Sequence, residues 1–209
     1  NSLSPSGLQL RYSFDDPTVV WSQLKVVDVT GKGNDGALVS VPMTVTGKLG
    51  QAMYFDGSFW NYIHVPISTN LNPASSPFSI GLWFKTNSFG TLNGSILYNK
   101  EDLYEASAGG GYFTYAWQPH WNWDGDSSFP INVGEWYHAV VVYDGLNQYL
   151  YKNGVLVYSR PQSGGMGSNS NRFALGTRGY FGGGNSPFNG AIDDVRVYNR
   201  ALSATEAED

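Results

Sequence analysis

An all-β fold is what this sequence predicts, and three observations predict it. Apolar residues recur with a period of two along most of the chain, turn-forming residues bound each such run, and a helical period is almost missing. Hydrophobic residues make up 41% of the chain and aromatics 15%, against 14% charged, which is enough apolar surface for a core. At 209 residues the chain is long for an average domain. All-β sandwiches and barrels of this size nevertheless form single units, so one domain over 1–209 is expected.

The elements follow from the amino terminus. Leu8, Leu10, Tyr12 and Phe14 alternate with polar neighbours, and Phe78, Ile80, Leu82 and Phe84 do the same in the middle of the chain. Trp136, His138, Val140 and Val142 alternate next, and the stretch from Ile192 to Tyr198 closes the series. Between Gln148–Tyr151 and Val155–Tyr158 stands Lys152-Asn153-Gly154. Asn-Gly marks a hairpin because both residues tolerate positive φ. Ser163 to Ser170 and Gly179 to Ser186 are rich in Gly, Ser and Asn and read as surface loops. The tail from Ala201 predicts a short helix capped by Ser203, with Glu206 completing a capping box. Its abrupt end points to a piece excised from a longer protein.

Charge and composition exclude several function classes. Seventeen acidic against 12 basic side chains leave a net charge of -5, and no Lys/Arg-rich segment offers a footprint for nucleic acid. No apolar run is long enough for a membrane-spanning helix, so no membrane insertion is expected, and Asn1 to Ser6 lacks the basic and apolar regions of a signal peptide. With no cysteine there is no disulfide framework, thiolate metal site or cysteine nucleophile. Abundant Gly, Asn, Ser, Thr and Tyr with few Lys and Glu suit an exported bacterial protein, extracellular or at the cell surface.

Several segments in order carry a resemblance. They are Tyr12-Ser13-Phe14-Asp15-Asp16, Asp28 to Gly36, Ala52 to Gly57, Phe78 to Lys85, Gly134 to His138, Val142 to Gly145, Tyr151 to Gly154 and Gly190 to Ser203. Together they resemble the laminin G-like jelly-roll domains of the concanavalin A-like superfamily. That resemblance implies a β-sandwich jelly roll of two antiparallel sheets, with the first and last strands close together. It implies less about function, which has to be argued from a site.

Two constellations carry chemistry. The first is acidic: Asp28-Val29-Thr30-Gly31-Lys32-Gly33-Asn34 has the oxygen ligands and glycine turns of a calcium loop. If the terminal strands are neighbours, as the resemblance implies, Asp15 or Asp16 and Asp193 or Asp194 converge on it. Domains similar to this one often hold a structural calcium there. Strand parity puts Asp193 with Val195 and Val197, which favours Asp193, so the expected ligands are Asp15, Asp28, Asn34 and Asp193. The plainer reading is Asx turns at Asp28 and Asn34 and ion pairs to Arg11, Arg196 or Arg200. A further loop, Asp124 to Ser128, reads as a polar turn.

The second constellation is aromatic. Tyr112, Tyr115, Trp117, His120, Trp121 and Trp123 crowd together beside polar groups, a surface suited to the apolar faces of sugar rings. Tyr112, Trp117, His120, Trp121 and Trp123 are the expected ligand-binding residues. Trp60, Trp83 and Trp136 read as core or core-edge residues. His64, His120 and His138 occur singly, without zinc spacing. Catalysis by a glycosidase needs two carboxylates. Glu101 and Glu105 come nearest, yet Leu103 stands where the alternating acids of related hydrolases have a third, and both read as solvated residues. The function expected is a non-catalytic carbohydrate-binding domain with a structural calcium, its partner a glycan or polysaccharide and, in a longer chain, other domains of the same polypeptide. The alternative is an adhesive or structural protein-interaction domain.

Overall fold

The computed structural model describes residues 6–40, 42–90, 94–118, 128–162, 164–178 and 186–208. In chain order the strands are β1 (Leu8–Tyr12), β2 (Val19–Val20), β3 (Lys25–Val26), β4 (Gly36–Val39), β5 (Met43–Thr46) and β6 (Gln51–Asp56). Next come β7 (Tyr62–Val65), β8 (Phe78–Thr86), β9 (Ile96–Lys100), β10 (Tyr104–Gly109), β11 (Tyr112–Trp117) and β12 (Ser128–Pro130). The set ends with β13 (Tyr137–Tyr143), β14 (Asn147–Lys152), β15 (Val155–Pro161), β16 (Phe173–Leu175), β17 (Asn189–Tyr198) and the short helix α1 (Ala204–Glu208).

They form two antiparallel sheets. The first runs β15-β14-β13-β8-β17-β6-β5, with β1 also on β17, and the second runs β12-β11-β10-β9-β16-β7-β4-β3-β2. This is the expected jelly-roll sandwich, and β1 pairs with β17, so the terminal strands are neighbours. Phe78, Ile80, Leu82 and Phe84 point into the core between the sheets together with Leu10, Tyr12 and Phe14. Each such burial contributes about 1.5–3 kcal/mol.

Local chemistry sets several elements. Asn153 and Gly154 take φ of 48° and 80°, as a two-residue hairpin turn between β14 and β15 requires. Ser203 Oγ accepts from Glu206 N at 3.3 Å while Glu206 Oε2 accepts from Ser203 N at 2.9 Å, the reciprocal capping box at the start of α1.

Two parity expectations change. In β13 the core face is Tyr137, Ala139, Val141 and Tyr143, while Val140 and Val142 are buried on the outer face under Leu202 and Ala207. The carboxy-terminal segment therefore covers what alternation alone leaves to solvent. In β17 a bulge between Asp193 and Arg196, with Asp194 at φ 43°, puts Ile192, Val195 and Val197 all on the core side. Asp193, which pairs with Trp83, thus does not share a face with Val195, and simple alternation across the bulge does not apply.

Candidate functional site

Trp117 is fully buried and packs edge-on against Phe78 at 6.2 Å and Tyr143 at 6.4 Å between ring centres. It is a core residue, which corrects its expected place in a binding platform. Tyr112, at the other end of β11, is 45% exposed. Five strand steps of about 3.3 Å separate the two, so they do not form one surface. His120, Trp121 and Trp123 lie outside the described residues.

Where β11 ends, Gln118 opens a cleft of about 370 Å³ lined by Asp102, Leu103, Met166 and Asn169 among others. Its walls are fixed by backbone bonds. Gln118 N donates to Leu103 O at 2.9 Å, and Ala74 and Gly167 exchange N–H···O bonds at 2.8 and 2.9 Å. Asn169 Nδ2 donates to Glu101 O at 2.6 Å, joining one wall to the other. Leu103 and Met166 are buried and Ser168 is exposed, so a carboxylate, two amides and a hydroxyl rim an apolar base. Such a lining suits a neutral, hydroxyl-rich ligand.

Glu105 is buried, against expectation, and Glu101 is half-buried. Both oxygens of buried Glu105 are held by Arg178, Nε to Oε2 at 2.7 Å and Nη2 to Oε1 at 2.5 Å, and Asn99 Nδ2 adds a bond to Oε2 at 2.7 Å. A carboxylate so engaged is a poor nucleophile. Burial first, and then the Glu105 charge, push Glu101 above the usual carboxylate range.

The four expected calcium ligands take two settings. Asp28, buried, accepts from Arg11 N at 3.1 Å, Thr30 N at 3.1 Å, Thr30 Oγ1 at 2.8 Å and Asn34 N at 3.3 Å. Its carboxylate is thus satisfied by the loop it organises, as the plainer reading expects. Asn34 Nδ2 bonds Gln9 O at 2.7 Å, while its buried Oδ1 has no partner. Asp15 and Asp193 close instead on the turn between β5 and β6: Asp15 Oδ1 accepts from Gln51 N at 2.8 Å, and Asp193 Oδ2 accepts from Lys48 N and Leu49 N at 2.9 and 2.8 Å. Asp193 Oδ1 and Gln51 Oε1 are buried without partners. Burial pushes the Asp193 carboxyl up to about 7. Asp194 is spoken for by Arg11 at 2.9 Å and Arg196 at 2.5 Å, and Asp16 is exposed. Among the described residues no three acids or histidines gather as a metal cluster, so a cation would draw heavily on amide and carbonyl oxygens. Asp193 Oδ1 and Gln51 Oε1, both at the turn between β5 and β6, fit such a cation; the saturated Asp28 carboxylate, in the other setting, does not.

Trp60 departs from the core role read for it: it is 57% exposed, beside Phe59 at 59%. Trp83 and Trp136 are half-buried on the outer face of the first sheet, beneath Lys48 at 4.9 Å and Lys85 at 5.1 Å. The signal for Trp60 was Gly57-Ser58 before it, a turn rather than a strand.

The family model for the concanavalin A-like lectin/glucanases superfamily matches residues 56–208. No curated protein matches the chain. Among solved structures, domain 4 of AbnA, an extracellular arabinanase from Geobacillus stearothermophilus, in complex with arabinotriose, is 22% identical with a TM-score of 0.69, covering 97% of each chain. The binding domain of Paraclostridial Mosquitocidal Protein 1 is 17% identical with a TM-score of 0.73, covering 97% of this chain and 51% of that one. The binding domain of botulinum neurotoxin serotype G is 18% identical with a TM-score of 0.69, covering 96% and 50%. The chain thus spans about half the length of these toxin binding domains. At such identities the likeness is one of fold.

Proposed function

This chain belongs to the concanavalin A-like lectin/glucanase superfamily, and from that premise we propose that it is a non-catalytic carbohydrate-binding domain of a secreted or cell-surface protein. The ligand is a glycan or polysaccharide. The observation that carries this reading is the cleft beside Gln118, where Asp102, Gln118 and Ser168 offer polar groups over an apolar base of Leu103 and Met166. The segment that holds His120, Trp121 and Trp123 follows Gln118 directly, and its rings are the proposed stacking groups. The engagement of Glu105 by Arg178 supports a binding role over a hydrolytic one. The structural likeness to a domain solved with arabinotriose and to toxin binding domains is in keeping with it.

A structural calcium is part of the same reading. Asp15 and Asp193, beside the turn between β5 and β6, are the proposed ligands, and Asp28 and Asn34 are proposed to hold the 28–34 loop in shape. A bound calcium would neutralise the buried Asp193 carboxylate and the half-buried one of Asp15. The runner-up function, an adhesive or structural protein-interaction domain, draws on β15, an edge strand where Val155, Leu156 and Val157 are exposed in succession.

The test is a glycan array on the purified chain, followed by affinities and melting temperatures for variants. Trp121→Ala or Trp123→Ala, and Ser168→Trp to fill the cleft, are expected to keep the parental melting temperature and weaken binding more than about tenfold. Trp117→Ala is expected to cost about 3–5 kcal/mol of folding stability. An array that retains no glycan, or cleft variants that bind as the parent does, would sink the proposal.

A further inference from the structure

At the end of the sandwich away from the cleft, β6 runs into the turn Gly57-Ser58-Phe59-Trp60-Asn61. Two large aromatic side chains stand there 59% and 57% exposed, at a place where turns ordinarily carry polar residues. The turn is stiff. Asp56 Oδ1 accepts from Ser58 N at 2.8 Å, Asn61 N donates to Ser58 O at 3.2 Å, and Gly57 at φ 80° lies close against Asn189. The Asp56 carboxylate itself is exposed, and the Ser58 donors hold it below the usual carboxylate range.

The neighbours define the chemistry. Asn87 N donates to Asn189 O at 2.9 Å, so the loop after β8 abuts the same asparagine and brings Phe89, 41% exposed, to this end of the molecule. Asn61 and Asn189 each bury a side-chain oxygen that has no donor. No lysine or arginine occurs in residues 51–67 or 86–99. The adjacent Lys85 is engaged over Trp136 at 5.1 Å. Arg178, which the pairing of Leu175 with Ile63 carries toward this end, is engaged by Glu105 at 2.5 Å. A surface of flat rings, amides, a hydroxyl and one carboxylate, whose own segments carry no cation, suits a neutral polyhydroxylated ring better than an anion.

We propose that the Phe59–Trp60 turn is a second sugar-stacking site, for neutral glycan chains, so that the domain grips a polysaccharide at two places. The inference builds on the carbohydrate-binding reading but uses different residues. Phe78, at the start of β8, touches Trp117 next to the cleft, while Thr86 at its end pairs with Gly190 beside the aromatic turn. The two sites are therefore separated by the length of β8, roughly 26 Å at 3.3 Å per residue. A long polymer can engage both, and its second contact is then intramolecular, which raises avidity without any new contact.

The experiment is calorimetric titration with linear neutral hexasaccharides of glucose, xylose, arabinose and mannose, on the parent chain, Trp60→Ala, Ser168→Trp and the double variant. Melting temperatures are recorded alongside, and the exposed Trp60 is expected to leave its variant as stable as the parent. Two hexasaccharides per parent chain, one per single variant and none for the double variant is the expected pattern, with Trp60→Ala also lowering affinity for the matching polysaccharide at least tenfold. One hexasaccharide per chain, lost on Ser168→Trp and untouched by Trp60→Ala, overturns the second site while leaving the cleft intact. Binding lost on Trp60→Ala and indifferent to Ser168→Trp instead upholds this site and removes the cleft. A parent chain that leaves all four sugars free, or one whose Trp60 docks onto phosphatidylcholine vesicles in their place, overturns the inference.

Discussion

His138 sits 8% exposed on the outer face of the first sheet, stacked on Trp83 at 4.8 Å with its backbone N–H donating to Asn153 Oδ1 at 2.8 Å. Burial, and then the nearby Arg196 charge, lower its pKa to about 4, and Asp194 opposes the shift. A base whose folded pKa lies below its unfolded one contributes stability that is complete above the unfolded pKa. That contribution is lost as pH falls. The chain is therefore expected to lose about 3 kcal/mol between roughly pH 6.5 and pH 4 on account of this group alone. His138→Gln should flatten that part of the stability–pH profile in urea titrations. A profile equally steep in the variant would rule the histidine out. The tryptophans teach the same lesson at this scale. Trp117 and Trp60 are one residue type, yet one is wholly enclosed by Phe78, Tyr115 and Tyr143 and the other stands in solvent. Gly57-Ser58 marks the turn at Trp60, but nothing in the immediate sequence of Trp117 compels its burial. The strand register and the loops packed over it decide.

Among the elements, the turn joining β5 to β6 is the most constrained. Gly47 N donates to Gly50 O at 2.9 Å, and the turn's inner N–H groups are the donors that Asp193 receives. Gly50 takes φ 63°, and a Cβ there would overlap Asp15 Oδ1. Gly50→Ala is thus expected to destabilise by at least about 1–2 kcal/mol from backbone strain alone, before the displaced carboxylate is counted. Thermal unfolding of Gly50→Ala beside Gly31→Ala makes the comparison, because Gly31 has a similar φ of 72° with nothing near its Cβ. Equal losses would mean that the Asp15 contact contributes nothing. Elements whose rules are local were legible beforehand. The Asn153-Gly154 turn and the Ser203/Glu206 capping box each need only a few adjacent residues, and both form as expected. The β17 bulge was not legible, since nothing around Asp194 is a glycine and the kink answers to pairing with β8 on one side and with β6 and β1 on the other.

For the whole molecule, the terminal segments decide how firmly the sandwich closes. β1 and β6 share one edge of β17, and the Asp15 and Asp193 carboxylates both bond to the turn that precedes β6. If calcium binds the native state alone, it should stabilise by about 2.7 kcal/mol at a hundredfold excess over its dissociation constant. Chelation is accordingly expected to lower the melting temperature of the parent, and Asp193→Asn to remove that dependence. Superimposable calorimetric curves with and without chelator would dispose of the calcium. On the proposed carbohydrate-binding role, a cleft and an aromatic turn at opposite ends would suit a long chain of neutral sugars better than a compact ligand.

By itself the sequence determined the all-β class, the hairpin, the helix cap and, through ordered segments, the jelly-roll sandwich, because period-two burial and turn chemistry are properties of neighbouring residues. It also raised, as expectations, the aromatic cluster from Tyr112 to Trp123, of which Trp117 proved a core residue, and the acids of the terminal segments. Only the tertiary structure decided which aromatics face solvent, that Glu105 is consumed by Arg178, and that Asp28 is satisfied while the buried Asp193 carboxylate keeps one oxygen open. The physical reason is that exposure and hydrogen-bond satisfaction depend on groups brought together from distant parts of the chain, Glu105 with Arg178 and Asp193 with Leu49, and no local pattern encodes those meetings.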